Sequence, residues 1–523
     1  MEKTFIKTKG DFSVVDGRVK RAYGIRILPN EQKMIEHIGF RDFDMDGCCH
    51  GTGNVHWPAD VNTGDGWDIS HKGICLHGSK IGTLELERIC VHGYKGELWY
   101  ADTRIRNVVA RHCKTYDTNG QCYNMSAQNV LVEYCHFGRE GYISNTFIEF
   151  ANYNRFDDMP DGGCIFRNCY FTGNHHNGIS FNEGHNDNYS ILFENNVIDL
   201  HMGITYNGVA CFVFDGGTSG PVNIRNNTIV SREDSISVFN SDCWEPRHRH
   251  KDENFVVEDN LFVGFRALIS FTSAYGAPNA ERMTHPSRYE KRLKNMVFRN
   301  NVIESYTGEG ARPVVILGND KETMIDYLDN RWQSKCLSYF ENIVIENNTF
   351  NNSVTPWLRD HYGTAPLFRN NLYNNVTLKV GEPASYSAVQ PVSREHNRVV
   401  PVFEYLYIKA DTETNVRLRT HNPMDLMCPA YEDGYEVLIG GAEGTAPVSF
   451  IKDDTNTFNE PIVICDNNYM RIRYNRELTK WELVELIEGR LEYIGVGADT
   501  THFIGADMSQ QIGTEDTVIK IAM

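Results

Sequence analysis

Three carboxylates in glycine-, asparagine- and histidine-containing segments are the residues best suited to chemistry. They are Glu183 in NEGHND (from Asn182), Asp215 in VFDGG (from Val213) and Asp242 in NSDCWEPRHRH (from Asn240). Hydrolysis of a glycosidic bond takes two such groups, about 5 Å apart for retention and roughly 6.5–9.5 Å apart for inversion. Asn182, His185, Asn207, Trp244, Arg247 and His250 accompany them and are the candidate substrate-binding residues. Trp244 fits either a stacking platform for a sugar ring or the apolar base of a loop. A lone loop carboxylate is ordinarily just solvated. What singles these three out is that each follows a strand of similar pattern.

Other chemistries find less support. The chain has no GxSxG, HExxH, phosphate-binding loop or paired CxxC. The run Asp42-Phe43-Asp44-Met45-Asp46-Gly47 begins like an EF-hand loop, but its twelfth position is Gly53 where a bidentate glutamate is needed. An acidic turn is expected there. His248 and His250 lack a third ligand in view, so neither a metal nor a cofactor is expected. The balance of 51 basic and 69 acidic residues gives −18, which argues against nucleic acid or an anionic membrane as partner. No segment approaches 18 consecutive apolar residues, and the start, MEKTFIKTKG, lacks the apolar core of a secretory signal.

The elements that would position the acids come from a repeat. An apolar residue, a Glu or Arg, a variable residue, then Ile, Cys or Asn recurs as IEHIGF (Ile35), LERICV (Leu86), ARHCKT (Ala110), VEYCHF (Val132), FRNCYF (Phe166) and FENNVI (Phe193). It continues as IRNNTI (Ile224), VEDNLF (Val257), FRNNVI (Phe298), IENNTF (Ile345) and FRNNLY (Phe368). The Glu/Arg positions lie 22 to 51 residues apart, and the shortest spacings suit one coil of a parallel β-helix. Two residues further on stand Ile38, Ile89, Cys113, Cys135, Cys169, then Asn196, Asn227, Asn260, Asn301, Asn348 and Asn371. Such a column predicts an internal ladder in which each amide bonds the same amide of the next coil. The thiols are expected to act as small packing residues in that column, not as redox or metal groups. The Glu/Arg column alternates in sign from Arg167 to Arg369 and predicts a salt-bridge ladder.

A second strand follows the ladder turns, read as GQCYN (Gly120), GYISN (Gly141), GISFN (Gly178), GITYN (Gly203) and SISVFN (Ser235). Alternation puts Ile179, Phe181, Ile204 and Tyr206 on one face and Ser180, Asn182, Thr205 and Asn207 on the other. The hydroxyl and amide face reads either as a solvated sheet or as the floor of a groove for a polyhydroxylated polymer. Glu183 and Asp242 would follow equivalent strands two coils apart, about 10 Å by strand spacing, with Asp215 between. That is nearer the inverting separation.

The fold expected is all-β: a right-handed parallel β-helix over 33–378 behind an N-terminal cap or connection at 1–32. A linker or last coil at 379–400 leads to a β-sandwich or barrel at 401–523. On the ladder and coil repeats, the chain resembles the pectate-lyase-like right-handed β-helix proteins, most closely phage tailspikes and capsule depolymerases. The resemblance implies a homotrimer on the phage tail that cleaves a bacterial surface polysaccharide by hydrolysis or β-elimination. It departs from that group in lacking a recognisable particle-binding segment and the pectate-lyase calcium and arginine signature. The alternatives are a free bacterial glycosidase, lyase or epimerase acting on an oligosaccharide or host glycan, cytoplasmic or exported without a classical signal, and a non-catalytic glycan-binding module.

Overall fold

A computed structural model describes residues 4–7, 14–15, 18–19, 22–27, 34–47, 71–77, 80–94, 96–138, 144–151, 162–174, 177–182, 189–201, 210–214, 221–231, 237–240, 251–265, 267–272, 290–305, 315–318, 337–352, 362–363, 366–374, 389–395, 397–401, 405–420, 431–466, 468–488, 494–495 and 501–502. Among these residues every regular element is a strand, and no helix is long and apolar enough to cross a membrane. The chain divides into two compact units, Met1–Ser241 with Val263–Phe265, and Asp242–Phe262 with Arg266–Met523.

The first unit is a parallel β-helix. Between Gly162 and Asn240 each strand lies parallel to the strand three places along the chain. Gly162–Arg167 pairs with Tyr189–Glu194, which pairs with Val222–Arg225. Tyr170–Asn174, Val197–His201 and Thr228–Ser231 form the second face. Asn177–Asn182, Ala210–Phe214 and Ser237–Asn240 form the third. A sequence repeated in the same direction can only meet itself in parallel, and alternation sends every second side chain inward. Phe166 and Phe193 stack at 5.1 Å, as do Phe137 and Phe171 at 5.0 Å, all fully buried. Burying each ring contributes roughly 1.5–3 kcal/mol.

The turn between the first two faces has one conformation throughout. The residue after the Glu/Arg has φ of 52–57° at Asp42, Arg88, His112, Tyr134, Asn168, Asn195 and Asn226. Asn and Asp tolerate this left-handed region best, which explains their frequency at the variable position. The next residue points inward. Asn196 N and Nδ2 both donate to Asn227 Oδ1 at 2.9 and 3.1 Å, and Asn196 Nδ2 also reaches Phe166 O at 2.9 Å. Where the column holds cysteine, Cys113, Cys135 and Cys169 donate weakly to Arg111 O, Glu133 O and Arg167 O at 3.2–3.3 Å. Burial pushes the Cys113 and Cys135 thiols well above their ordinary range, so they stay protonated. Outside, Glu133 is bridged by Arg111 at 2.9 Å and Arg167 at 2.5 Å, and Arg225 meets Glu194 at 2.7 Å.

Two registers differ from the sequence expectation. In the first coil Arg41 pairs with Glu87, so the repeat unit is Phe40-Arg41-Asp42-Phe43 and not IEHIGF. Phe43 takes the ladder position expected of Ile38; an apolar residue already fills that column at Ile89, so the pattern tolerates both frames. On the third face, Phe212 and Phe214 pair with Ile179 and Phe181, the places expected of Ile204 and Tyr206. The GITYN segment lies outside the described residues. Likewise Ile148 of Ser144–Ala151, not the GYISN segment, sits beside Ile179. Parallel pairing also extends into residues 1–32, where Thr4–Lys7 lies beside Phe43–Asp46 and Ala22–Ile27 beside His71–Leu76.

The second unit opens with coils of the same kind. The strands Lys251–Glu258, Glu290–Arg299 and Leu337–Glu346 pair in parallel. Asn260, Asn301, Asn348 and Asn371 form an unbroken ladder, in which the Oδ1 of Asn301, Asn348 and Asn371 each accepts from the backbone N–H and side-chain amide of the asparagine before it at 2.9–3.1 Å. The amide's second hydrogen goes to a backbone carbonyl: Val257 O for Asn301, Phe298 O for Asn348, Ile345 O for Asn371. A second, exposed ladder runs through Asn254, Asn295 and Asn342, whose φ values are 64°, 54° and 55°.

The C-terminal β domain has mixed sheets rather than simple antiparallel ones. Val389–Val392, Tyr405–Ala410 and Glu436–Gly441 still pair in parallel, as do Arg398–Val399, Thr414–Leu418 and Val448–Phe450. Only then do antiparallel strands follow, Asn468–Asn475 and Lys480–Glu488 on one sheet and Ile462–Ile464 on the other. Its core holds Leu406, Ile439, Phe450, Ile472 and Trp481, with Trp481 Nε1 donating to Arg419 O at 2.7 Å.

Candidate functional site

Strands of the third face of the first unit precede, along the chain, the segments that hold the expected acids. Glu183 follows directly on Asn177–Asn182, and Asp215 on Ala210–Phe214. Both acids, with His185, Asn207, Asp242, Trp244, Arg247 and His250, lie outside the described residues. Asn182 closes its strand and pairs with Ala151. The structure therefore describes the strands that lead into these residues.

Glu149 is a described carboxylate on this face that sequence reasoning missed. Glu149 pairs with Ser180, which pairs with Val213, whose partner is Asn240. Of the residues expected to floor the groove, Ser180 and Asn182 lie on this strand row, and Thr205 and Asn207 lie outside the described residues. Asn124, on the coil before, donates from Nδ2 to Glu149 Oε2 at 3.3 Å. Glu149 is half-buried and Asn124 buried, so the carboxylate is held at the sheet surface by a neighbouring amide. The signal was present in FIEFA, whose alternation matches GISFN, but GYISN matches it as well and lies nearer the repeat.

Earlier coils of this face carry a buried ion pair. Lys72 Nζ stands 2.8 Å from Glu97 Oε2 and 3.0 Å from the centre of the Tyr100 ring. Both charged side chains are almost fully buried, so they must neutralise one another.

The second face presents another row. Asp44 pairs with Cys90 and Asp46 with His92; Cys90 pairs with Lys114 and His92 with Tyr116; His136 follows Lys114, and Tyr170 follows His136. The Asp42–Gly47 run, expected to be an acidic turn, turns only at Asp42. Phe43–Asp46 is a strand, and Asp42 itself is bound by Arg88 at 2.6 Å. Asp44 and Asp46 share its outer face because they are two apart.

His92 is the centre of this row. Its Nε2 lies 2.9 Å from Asp44 Oδ1, its Nδ1 4.0 Å from Asp46 Oδ1, and its ring stacks on Tyr116 at 4.7 Å and 5°. One ligand atom from each of Asp44, Cys90 and His92 lies within 4.8 Å of the others, a spacing able to hold a metal ion. Further along, burial and then the nearby Lys114 ammonium lower His136 to about 4. Its ring is neutral at ordinary pH, and its Nε2 is buried with no hydrogen bond among the described residues. Sequence reasoning missed the row because the first coil was read out of frame, which set Asp44 beside no cysteine or histidine.

No protein-family model, no curated protein and no solved structure matches this chain.

Proposed function

We propose that the protein cleaves a glycosidic bond in a bacterial surface polysaccharide, by hydrolysis with paired carboxylates on the third face of the first unit. The observation that carries this reading is Glu149, held by Asn124 on a row of stacked strands whose next two coils run directly into Glu183 and Asp215. A stack of coils repeating every 4.8 Å or so is a long, straight surface suited to an extended polymer. Glu149 and Val213 are two coils apart, about 10 Å sideways, nearer the inverting separation than the retaining one. The reading extends to a tailspike or capsule depolymerase working as a homotrimer on a phage tail.

The test is incubation of the full chain with a panel of purified bacterial capsular and O-antigen polysaccharides. The products are assayed for new reducing ends, for unsaturated uronate absorbance and for anomeric configuration by NMR. Reducing ends of inverted configuration without unsaturation support the proposal. Unsaturated ends would replace hydrolysis by elimination, and binding without cleavage across the panel would replace the enzyme by a binding module.

A further inference from the structure

We propose that Asp44, Cys90 and His92 form a binding site for a transition-metal cation of the zinc class, on the second face of the first unit and apart from the carboxylates above. The three donors come from two neighbouring parallel strands, Phe43–Asp46 and Cys90–Tyr94, whose register is fixed by the coil. Asp44 and Cys90 stand directly opposite, and His92 is two residues along from Cys90 on the same side. Their ligand atoms lie within 4.8 Å of one another. A tetrahedral zinc site spaces its ligand atoms about 3.3–3.8 Å apart, so modest side-chain rotation brings the three onto one ion.

The donor set selects the cation. Calcium and magnesium take oxygen ligands, whereas thiolate, imidazole and carboxylate together suit zinc and its neighbours. The surroundings of His92 fit the same role. Nε2 faces Asp44 at 2.9 Å, so it is the nitrogen turned toward the ion, while Nδ1 faces the carboxylate of Asp46 at 4.0 Å. At 4.0 Å that contact is electrostatic and longer than a hydrogen bond, and a small rotation of Asp46 would bring its carboxylate onto the far nitrogen, the usual means of orienting a metal-bound imidazole. Tyr116, stacked on the ring, restricts its rotation. With three protein donors, the fourth position is left for water or a ligand group.

The experiment strips the full chain with a chelator and titrates it with Co2+, reading the thiolate-to-cobalt charge-transfer band and the visible bands of tetrahedral cobalt. One equivalent is expected to develop both, Zn2+ to displace them and Ca2+ to leave them unchanged. Cys90→Ser should abolish the charge-transfer band. Asp46→Asn should weaken cobalt binding about 10-fold and leave the band in place. Thermal unfolding of each metal-free variant is compared with the parent, and only variants that melt within a degree or two of it are read. His92→Gln serves as the second variant if Cys90→Ser melts early. Failure to develop the band, or a band unchanged in Cys90→Ser and His92→Gln, overturns the proposal and leaves Asp44 and His92 as a hydrogen-bonded pair only.

Discussion

Cys113 and Cys90 belong to successive coils of the same helix, one residue apart in register, and they meet opposite environments. Cys113 occupies the ladder position, buried, with its thiol pushed far up by desolvation. Cys90 follows Ile89, the ladder residue of its own coil, and so faces outward beside Asp44, with Lys114 on its other side. A shift of one residue on a strand exchanges its two faces. Inward columns are therefore chosen for packing and hydrogen-bond completeness, and outward ones are free for chemistry. Residue type alone does not separate them, since the chain uses Cys and Asn on both sides.

The contrast is broken most severely by a pair of substitutions with opposite consequences. Glu149→Gln on the outward row should lower polysaccharide cleavage at least about 100-fold, measured as initial reducing-end release, with glycan affinity and melting temperature held. Comparable activity in the variant would remove Glu149 from the mechanism and return the pairing to Glu183 and Asp242, with Asp215 able to replace either. Asn348→Ala on the inward column should do the reverse. It deletes the acceptor for Asn301 N and Nδ2 and the donor to Phe298 O, leaving buried groups unmatched. A destabilisation of about 3 kcal/mol is expected in denaturant unfolding, with cleavage by the folded fraction retained.

A smaller effect concerns pH. His136 has a folded pKa lowered to about 4 from 6.5. The unfolded chain takes up that proton first, so the stability tied to the neutral ring is intact above pH 6.5 and lost as pH falls toward 4. His136→Phe should flatten the dependence of unfolding free energy on pH across that window. An unchanged slope would mean that His136 is solvated.

Much of the fold was legible because the ladder is a one-dimensional code. Six asparagines at one register and an alternating Glu/Arg neighbour specify both the turn and the direction of stacking. The left-handed residue between them was visible as a variable position, though its φ was not. Legibility failed where a strand offered two frames of equal hydrophobicity. Phe43 and Ile38 both suit an apolar ladder position, and GITYN and ACFVF both suit the third face. Backbone pairing across the coil decides such cases, and a single sequence does not carry it. Of the candidate site, the presence of carboxylates beyond the third-face strands was readable, while Glu149 and the Asp44–Cys90–His92 row depended on the frame.

That frame is tested most directly by native-state thiol alkylation in the presence of a chelator, mapped by peptide mass spectrometry. The register predicts that Cys90 is modified in the folded protein while Cys113, Cys135 and Cys169 are protected until the chain is unfolded. Equal protection of all four, or modification of the three ladder thiols at the rate of Cys90, would contradict it.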